Sequence, residues 1–152
     1  RVKMNIFRIC LSKYATSLQA SGKANRWNKD DEYVIYAGES RALSALELVV
    51  HRASFNIKND FKILSIEIDE DIEIKSIERT QLPDNWKKPE AYINLQSFGS
   101  NWYQSQESVI LKVPSIIIEE ENNYIINTKH PFFQTKIHLK EIKEFVWDAR
   151  LL

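Results

Sequence analysis

Residues 25–52 read NRWNKDDEYVIYAGESRALSALELVVHR. The stretch predicts a strand, a turn and a helix in close succession. Tyr33 to Ala37 is apolar and β-prone, with Tyr36 on the same face as Val34 by the two-residue alternation of a strand. Gly38 breaks the strand. Ser40 is placed to cap a helix running to about Arg52. On a helical wheel Ala42, Leu43, Leu46, Val49 and Val50 form one apolar stripe. Glu47 falls at the border of that stripe, beside Leu43, Val50 and His51. A carboxylate there is partly desolvated yet able to reach a cleft. Taken by pattern alone, it is more simply a boundary residue that extends to water. Arg26-Trp27 closes a polar loop over residues 17–29. A tryptophan in a loop has to pack, so Trp27 is expected to anchor the loop and aim Arg26.

Working outward, Asn5 to Cys10 alternates and predicts a first strand. Arg8 in its middle is expected on the solvent face more readily than at a ligand. Leu11 to Leu18 suits a short helix. Phe61 to Asp69 and Ile72 to Ile77 predict two further strands. Leu82-Pro83-Asp84-Asn85-Trp86 is a turn with an aromatic anchor. Glu90 to about Phe98 suits a helix stopped by Gly99, with Trp102 packed on it. Ser108 to Val113 is a strand ended by Pro114-Ser115. Ile116 to Ile118 is an unbroken apolar run, expected buried on both faces. Tyr124 to Asn127, Lys136 to Leu139 and Phe145 to Trp147 complete the strands. Several strands with two or three helices set between them define an α+β domain.

The chain has 152 residues, enough for one domain with a core of its own. Arg1-Val2-Lys3 precede Met4, and the single domain is read as 4–152. Twenty-one basic residues balance twenty-one acidic ones, so there is no basic excess of the kind a general nucleic-acid binder carries. The single Cys10 rules out an internal disulfide, and with no leader visible a reducing cytoplasm is the expected setting. No apolar run reaches the roughly 18 residues of a membrane helix. One Cys and three scattered His give no zinc spacing, so no metal is expected. Three glycines cannot build a Gly-rich phosphate cradle.

What remains is Arg, Tyr, Glu and Ser. An Arg fork suits pyrophosphate. A Tyr ring can lie on a flat heterocycle. A Glu can stabilise positive charge on a ribose as a glycosidic bond breaks, or orient the attacking group. A Ser hydroxyl can hold a carboxamide or phosphate oxygen. The set suits cleavage of the nicotinamide–ribose bond of NAD, although these residue types are too common to establish it.

The order of the pieces carries more. Phe7-Arg8-Ile9, Asn25-Arg26-Trp27-Asn28, Val34-Ile35-Tyr36-Ala37 with Glu39-Ser40, Ala42 to Glu47 with His51, Leu82-Pro83 with Trp86, Gly99 with Trp102, Val113-Pro114-Ser115, Asn123 with Asn127 and His130-Pro131, and Asp148-Ala149-Arg150-Leu151 follow one another along the chain. This succession resembles the RES domain, the toxin half of bacterial RES–Xre toxin–antitoxin pairs. Asn25 stands where that family usually has Gly.

The resemblance implies a fold like that of ADP-ribosyltransferases, with two small sheets around an NAD cleft. It implies that Arg26, Tyr36 and Glu47 are catalytic, and that Arg26, Tyr36 and Ser115 bind NAD, which is substrate rather than resident cofactor. It further implies growth arrest by NAD depletion and a cognate Xre-type, helix-turn-helix antitoxin that covers the active site. This chain itself would bind neither nucleic acid nor membrane, and a homodimer inside a larger toxin–antitoxin complex is one assembly the resemblance allows. The acceptor of the ADP-ribose is open between water, phosphate and protein. Two rivals stand beside an NAD-degrading toxin: a mono-ADP-ribosyltransferase acting on a host protein, and a catalytically dead module that binds its antitoxin.

Overall fold

A computed structural model describes residues 3–51, 56 and 60–151. In chain order the elements are β1 (Met4–Leu11), β2 (Val34–Gly38), α1 (Arg41–Val49), β3 (Phe61–Ile68), β4 (Ile74–Ser76), α2 (Tyr92–Ser105), β5 (Ile110–Pro114), β6 (Asn122–Asn127), α3 (Phe133–Lys136) and β7 (Ile137–Phe145). The α+β class holds. The strands form one seven-stranded sheet, in the order β4-β5-β6-β2-β1-β3-β7, in place of the two small sheets expected. Among the described strands only β4 and β5 run parallel.

The sheet is nonetheless close to divided. β1 and β2 share a single register pair, Phe7↔Gly38, whereas β1 pairs with β3 along its whole length. One face is continuous across this junction. Ile6, Cys10, Ile35, Ala37, Leu64, Ile66, Ile110 and Ile126 join there in one core. The other face carries two separate cores. Over β2, β5 and β6, Val34, Leu111, Val113 and Ile125 meet Leu95 and Trp102 of α2, with Trp27 and Trp86. Over β1 and β3, Ile9, Phe61 and Ile63 meet Trp147, with Ala45, Leu48 and Val49 of α1 packed against them. A groove is left between the two cores, above the place where β1 and β2 part.

Several elements differ from the sequence expectation for identifiable reasons. Leu11 to Leu18 yields only a single 3-10 turn, Ser12–Tyr14. α2 runs through Gly99 to Ser105 and ends on Gln106 in the left-handed conformation. Ile116 to Ile118 are half-buried and form a bend rather than a buried strand. The Ser115 hydroxyl accepts from the Ile117 and Ile118 N–H groups and so fixes that bend. The two late strands are one, β7, with Lys140 skipped in its pairing to β3. The buried face of α1 is Leu43 and Ser44, while Ala42 and Val50 are exposed. Arg52, the expected helix end, lies outside the described residues. No described helix is long and apolar enough to cross a membrane.

Candidate active site

The groove forms a cleft of about 210 Å³, lined among others by Arg8, Arg26, Trp27, Tyr36, Gly38, Glu47, Pro114 and Asn123. Its floor is the junction of β1 and β2. A Cβ at Gly38 would come within 2.8 Å of the Ser44 Oγ, so glycine leaves room there for that hydroxyl. The Ser44 hydroxyl is buried and reaches the Phe7 carbonyl at 2.8 Å, which seats α1 on the junction. Ser40 caps α1 as its position in the sequence predicts, its Oγ accepting from the Leu43 N–H at 3.0 Å. Past Phe7↔Gly38 the ladder stops, and Arg8 Nη1 donates to the Tyr36 carbonyl at 3.1 Å across the gap. A carbonyl without a ladder partner is thereby satisfied.

Glu47 projects from α1 and is half-buried. Its Oε1 accepts from the Ser115 hydroxyl at 3.2 Å and from Asn123 Nδ2 at 3.3 Å. Both donors are neutral. Among the described residues Oε2 has no partner, and neither Glu47 nor Arg26 forms an ion pair. Glu47 is therefore oriented by two amide and hydroxyl donors, and Arg26 is not its counter-ion.

The Arg26 loop is held from three sides. The Tyr36 hydroxyl accepts from the Trp27 N–H at 2.9 Å and donates to Asn28 Oδ1 at 2.7 Å. Burial pushes the Tyr36 phenol well above its ordinary value, opposed by the Trp27 N–H, so the donor proton stays in place. Asn28, almost fully buried, turns its Nδ2 to the carbonyls of Lys23, Lys29 and Glu32. From α2, Gln96 Nε2 reaches the Asn25 and Asn28 carbonyls, each at 3.1 Å. The buried Glu32 accepts from the Lys29 N–H and from the Ser100 hydroxyl, at 2.7 and 2.6 Å. Gly99 lies against the loop so closely that a Cβ would fall 1.6 Å from the Trp27 carbonyl oxygen. Close backbone approach, not helix termination, is what this glycine provides. The Arg26 guanidinium emerges over the Tyr92 ring, 5.7 Å from its centroid.

Asn25 needs no glycine-like backbone. Among the described residues the non-glycine positions with positive φ are Asp31 and Gln106. The Asn25 Oδ1 instead accepts from the Arg26 N–H at 2.8 Å.

Three of the four residues singled out in the sequence, Arg26, Tyr36 and Glu47, thus meet at one cleft. Ser115 sits behind it, fully buried, with its hydroxyl committed to Glu47 and to the bend that follows. The sequence named Asn123 only as a piece of the family succession and gave it no place in the site; its signal was an Asn pair inside a strand, where Asn is disfavoured. It also set Arg8 toward solvent, and the half-buried side chain instead spans the junction. Chemically the site offers a carboxylate group with one oxygen fixed and the other without a partner among the described residues, a guanidinium on a braced loop and an aromatic wall.

The site is thus a cleft over a nearly divided sheet, with a carboxylate on a helix and an arginine on a loop along its walls. The RES domain matches residues 5–148, and the chain belongs to the RES domain family. It is 32% identical to "Toxin Res" of Yersinia enterocolitica, over 97% of this chain and 99% of that one. It is 35% identical to the "Prs ADP-ribosylating toxin" of a Sphingobium species, over 84% of this chain and 80% of the relative. Among solved structures, a chain of the M. tuberculosis MbcT–MbcA toxin–antitoxin complex superposes with a TM-score of 0.76 at 13% identity, covering 95% of this chain and 85% of that one. That likeness is one of fold.

Proposed function

We propose that this chain is the toxin of a toxin–antitoxin pair, that its fold is of the ADP-ribosyltransferase kind, and that it breaks the nicotinamide–ribose bond of NAD. The supporting observation is Glu47: Oε1 is fixed by Ser115 and Asn123, and Oε2 has no partner among the described residues, in a cleft that also holds Arg26 and Tyr36. In this reading the nicotinamide–ribose end enters the cleft against Tyr36. The pyrophosphate runs out over Arg26, whose fork gives charge-assisted bonds. The cleft is small for a whole dinucleotide, which suits binding of one end.

As the C1′–N bond breaks, the pyridinium leaves as neutral nicotinamide with the bonding pair, and positive charge develops on the ribose. Glu47 stabilises that charge and orients the acceptor. Water as acceptor forms the C1′–O bond, loses a proton to solvent and gives ADP-ribose; inorganic phosphate gives the ADP-ribose phosphate ester. Ser115 and Asn123 act through Glu47, holding it at the ribose. Tyr36 has a second task, since its hydroxyl ties down the Arg26 loop. NAD loss arrests growth, and a cognate Xre-type antitoxin neutralises the enzyme in the cytoplasm by covering the cleft.

A second reading is transfer of ADP-ribose to a protein, favoured by the name of the Sphingobium relative. Purified protein given NAD, with and without phosphate, separates the two. Nicotinamide release without added protein supports the first. Label from NAD appearing on one lysate protein, with no release otherwise, supports the second. Neither outcome in a folded sample leaves only an antitoxin-binding module.

A further inference from the structure

The bend that follows β5 separates two hollows. Pro114 and Ile116 line the cleft, while Pro114, Glu119 and Glu120 line a second hollow of about 620 Å³, bordered by Arg79, Trp86 and Lys112. Glu47 meets the bend from the first hollow, through the Ser115 hydroxyl. A serine hydroxyl has one proton to donate and two lone pairs to accept with. At Ser115 all three are taken. The Ile117 and Ile118 N–H groups, each at 3.1 Å, occupy the lone pairs, and the proton goes to Glu47 Oε1. The direction of that O–H is therefore set by where two bend amides stand.

The second hollow holds charges that the reaction does not use. Glu119, half-buried, ties the outer side of the bend there. Its Oε1 accepts from Arg79 Nη1 and its Oε2 pairs with Lys87 Nζ, each at 2.6 Å. Lys87, foremost, and Arg79 hold the Glu119 carboxyl below its ordinary value. The two cations come from separate segments, both fixed to the core. Arg79 stands between the buried Ile77 and Leu82, and Lys87 follows the buried Trp86 and lies 5.7 Å from the centroid of its ring. Ile77, Leu82 and Trp86 belong to the core under α2, against which Ile116 of the bend also packs. Exposed ion pairs add little to stability. A carboxylate with each oxygen on a different anchored cation instead fixes a position, because the paired geometry adds orientation to attraction.

We infer that Glu119 is a positioning residue: clamped between Arg79 and Lys87, it holds the bend so that the Ser115 hydroxyl aims Glu47 into the cleft. Its effect on turnover rests on the NAD reading above. Glu119 acts through Ser115 and from the far side of the bend. A small displacement there costs rate rather than stability, since misplacing a reacting group by about 1 Å can cost about 100-fold and the clamp governs a fraction of that distance.

Glu119→Gln keeps the shape and removes the charge. It is expected to lower kcat at saturating NAD about threefold, with KM unchanged and the thermal midpoint within about 3 °C of the parent chain. Arg79→Gln with Lys87→Gln is expected to give the same fall, and adding both to Glu119→Gln to cost nothing more, as for groups that act as one unit. Raising NaCl from about 50 to 500 mM screens exposed pairs and is expected to lower kcat in the parent chain but not in Glu119→Gln. Two NMR signals need no NAD. Amide exchange at Ile117 and Ile118 is expected to quicken about threefold in Glu119→Gln, in proportion to a loosened bend. The Asn123 side-chain amide, which donates to Glu47 Oε1, is expected to move toward its resonance in Glu47→Ala. A parent chain that turns over no NAD refutes the reaction, and these two signals then decide the clamp. Unchanged exchange with an unmoved Asn123 resonance overturns the inference whatever the turnover. So does an unchanged kcat beside a loosened bend, or a further fall when the cation variants are added to Glu119→Gln. A loss of kcat that tracks a midpoint lowered by more than about 5 °C assigns Glu119 to the stability of the fold and overturns it as well.

Discussion

Gly99→Ala separates the support of the site from the stability of the fold. In an ordinary helix interior this change gains about 1 kcal/mol. Here the new Cβ would stand 1.6 Å from the Trp27 carbonyl oxygen, where real Cβ atoms keep at least 3.0 Å. Leu95 and Trp102 anchor the helix and Trp27 and Asn28 are as deeply buried, so helix and loop share the shift and the Arg26 loop moves with it. The contact has to open by about 1.4 Å, and overpacking of this kind costs about 1–3 kcal/mol. Set against the helix gain, the net loss of stability is about 0–2 kcal/mol. At roughly 2–4 °C per kcal/mol for a chain of this size, the midpoint falls by about 8 °C at most. Activity is far more sensitive. Arg26 directly precedes Trp27, and a misplacement of about 1 Å can cost about 100-fold in rate. The expected outcome is a folded protein with NAD turnover down about 100-fold, read by nicotinamide release beside a thermal melt. Full activity in Gly99→Ala would refute the argument that α2 sets the position of Arg26.

Tyr36→Phe leaves the Trp27 N–H and Asn28 Oδ1 without their partner, at about 1–3 kcal/mol, and is expected to lower the midpoint by several degrees and weaken NAD binding; a melt and a KM determination check both. Ser115→Ala frees Glu47 Oε1 from one of its two donors and two bend N–H groups from their acceptor, with an expected drop in kcat of about tenfold and little change in KM, measured by initial rates. The raised Tyr36 phenol also fixes a pH dependence: above pH 10.0 the unfolded chain loses this proton while the folded chain keeps it, so the folded state binds more protons and stability falls with rising pH. Denaturant midpoints between pH 8 and 11 are expected to be flat and then decline, less steeply in Tyr36→Phe.

The strand–turn–helix unit was legible in the sequence because its signals are local. Gly38 ends a β-prone run, Ser40 caps the next helix, and Tyr36 and Glu47 follow from the periods of strand and helix. What the sequence concealed depends on contacts between distant segments. Gly99 reads as a helix stop, yet its reason is the distant Trp27 loop pressed against α2. β7 reads as two pieces because the bulge at Lys140 shifts the alternation of Ile137 and Leu139 out of step with Ile142. The apolar run Ile116 to Ile118 carries no period, and a single Ser hydroxyl decides its bend. The single sheet was missed because its halves are joined by one register pair, which no local pattern encodes. Ser44 on the buried face of α1 breaks the wheel, and its place is explained only by the Phe7 carbonyl it meets. For the site, the residue types and their order located Arg26, Tyr36 and Glu47. The placement of Ser115 and Asn123 around one oxygen of Glu47 required the three-dimensional arrangement.

Under the proposed function Glu47 performs the chemistry of NAD cleavage in this cleft. Nicotinamide release by purified protein, compared with Glu47→Gln, tests it most directly. The substitution keeps the shape and an acceptor oxygen for Ser115 and Asn123 while removing the group's capacity for negative charge. NAD turnover is expected in the parent chain, with a loss of about 100-fold or more in the variant at an unchanged thermal midpoint. Equal turnover by Glu47→Gln, or none by a folded parent chain with water or phosphate as acceptor, would contradict it.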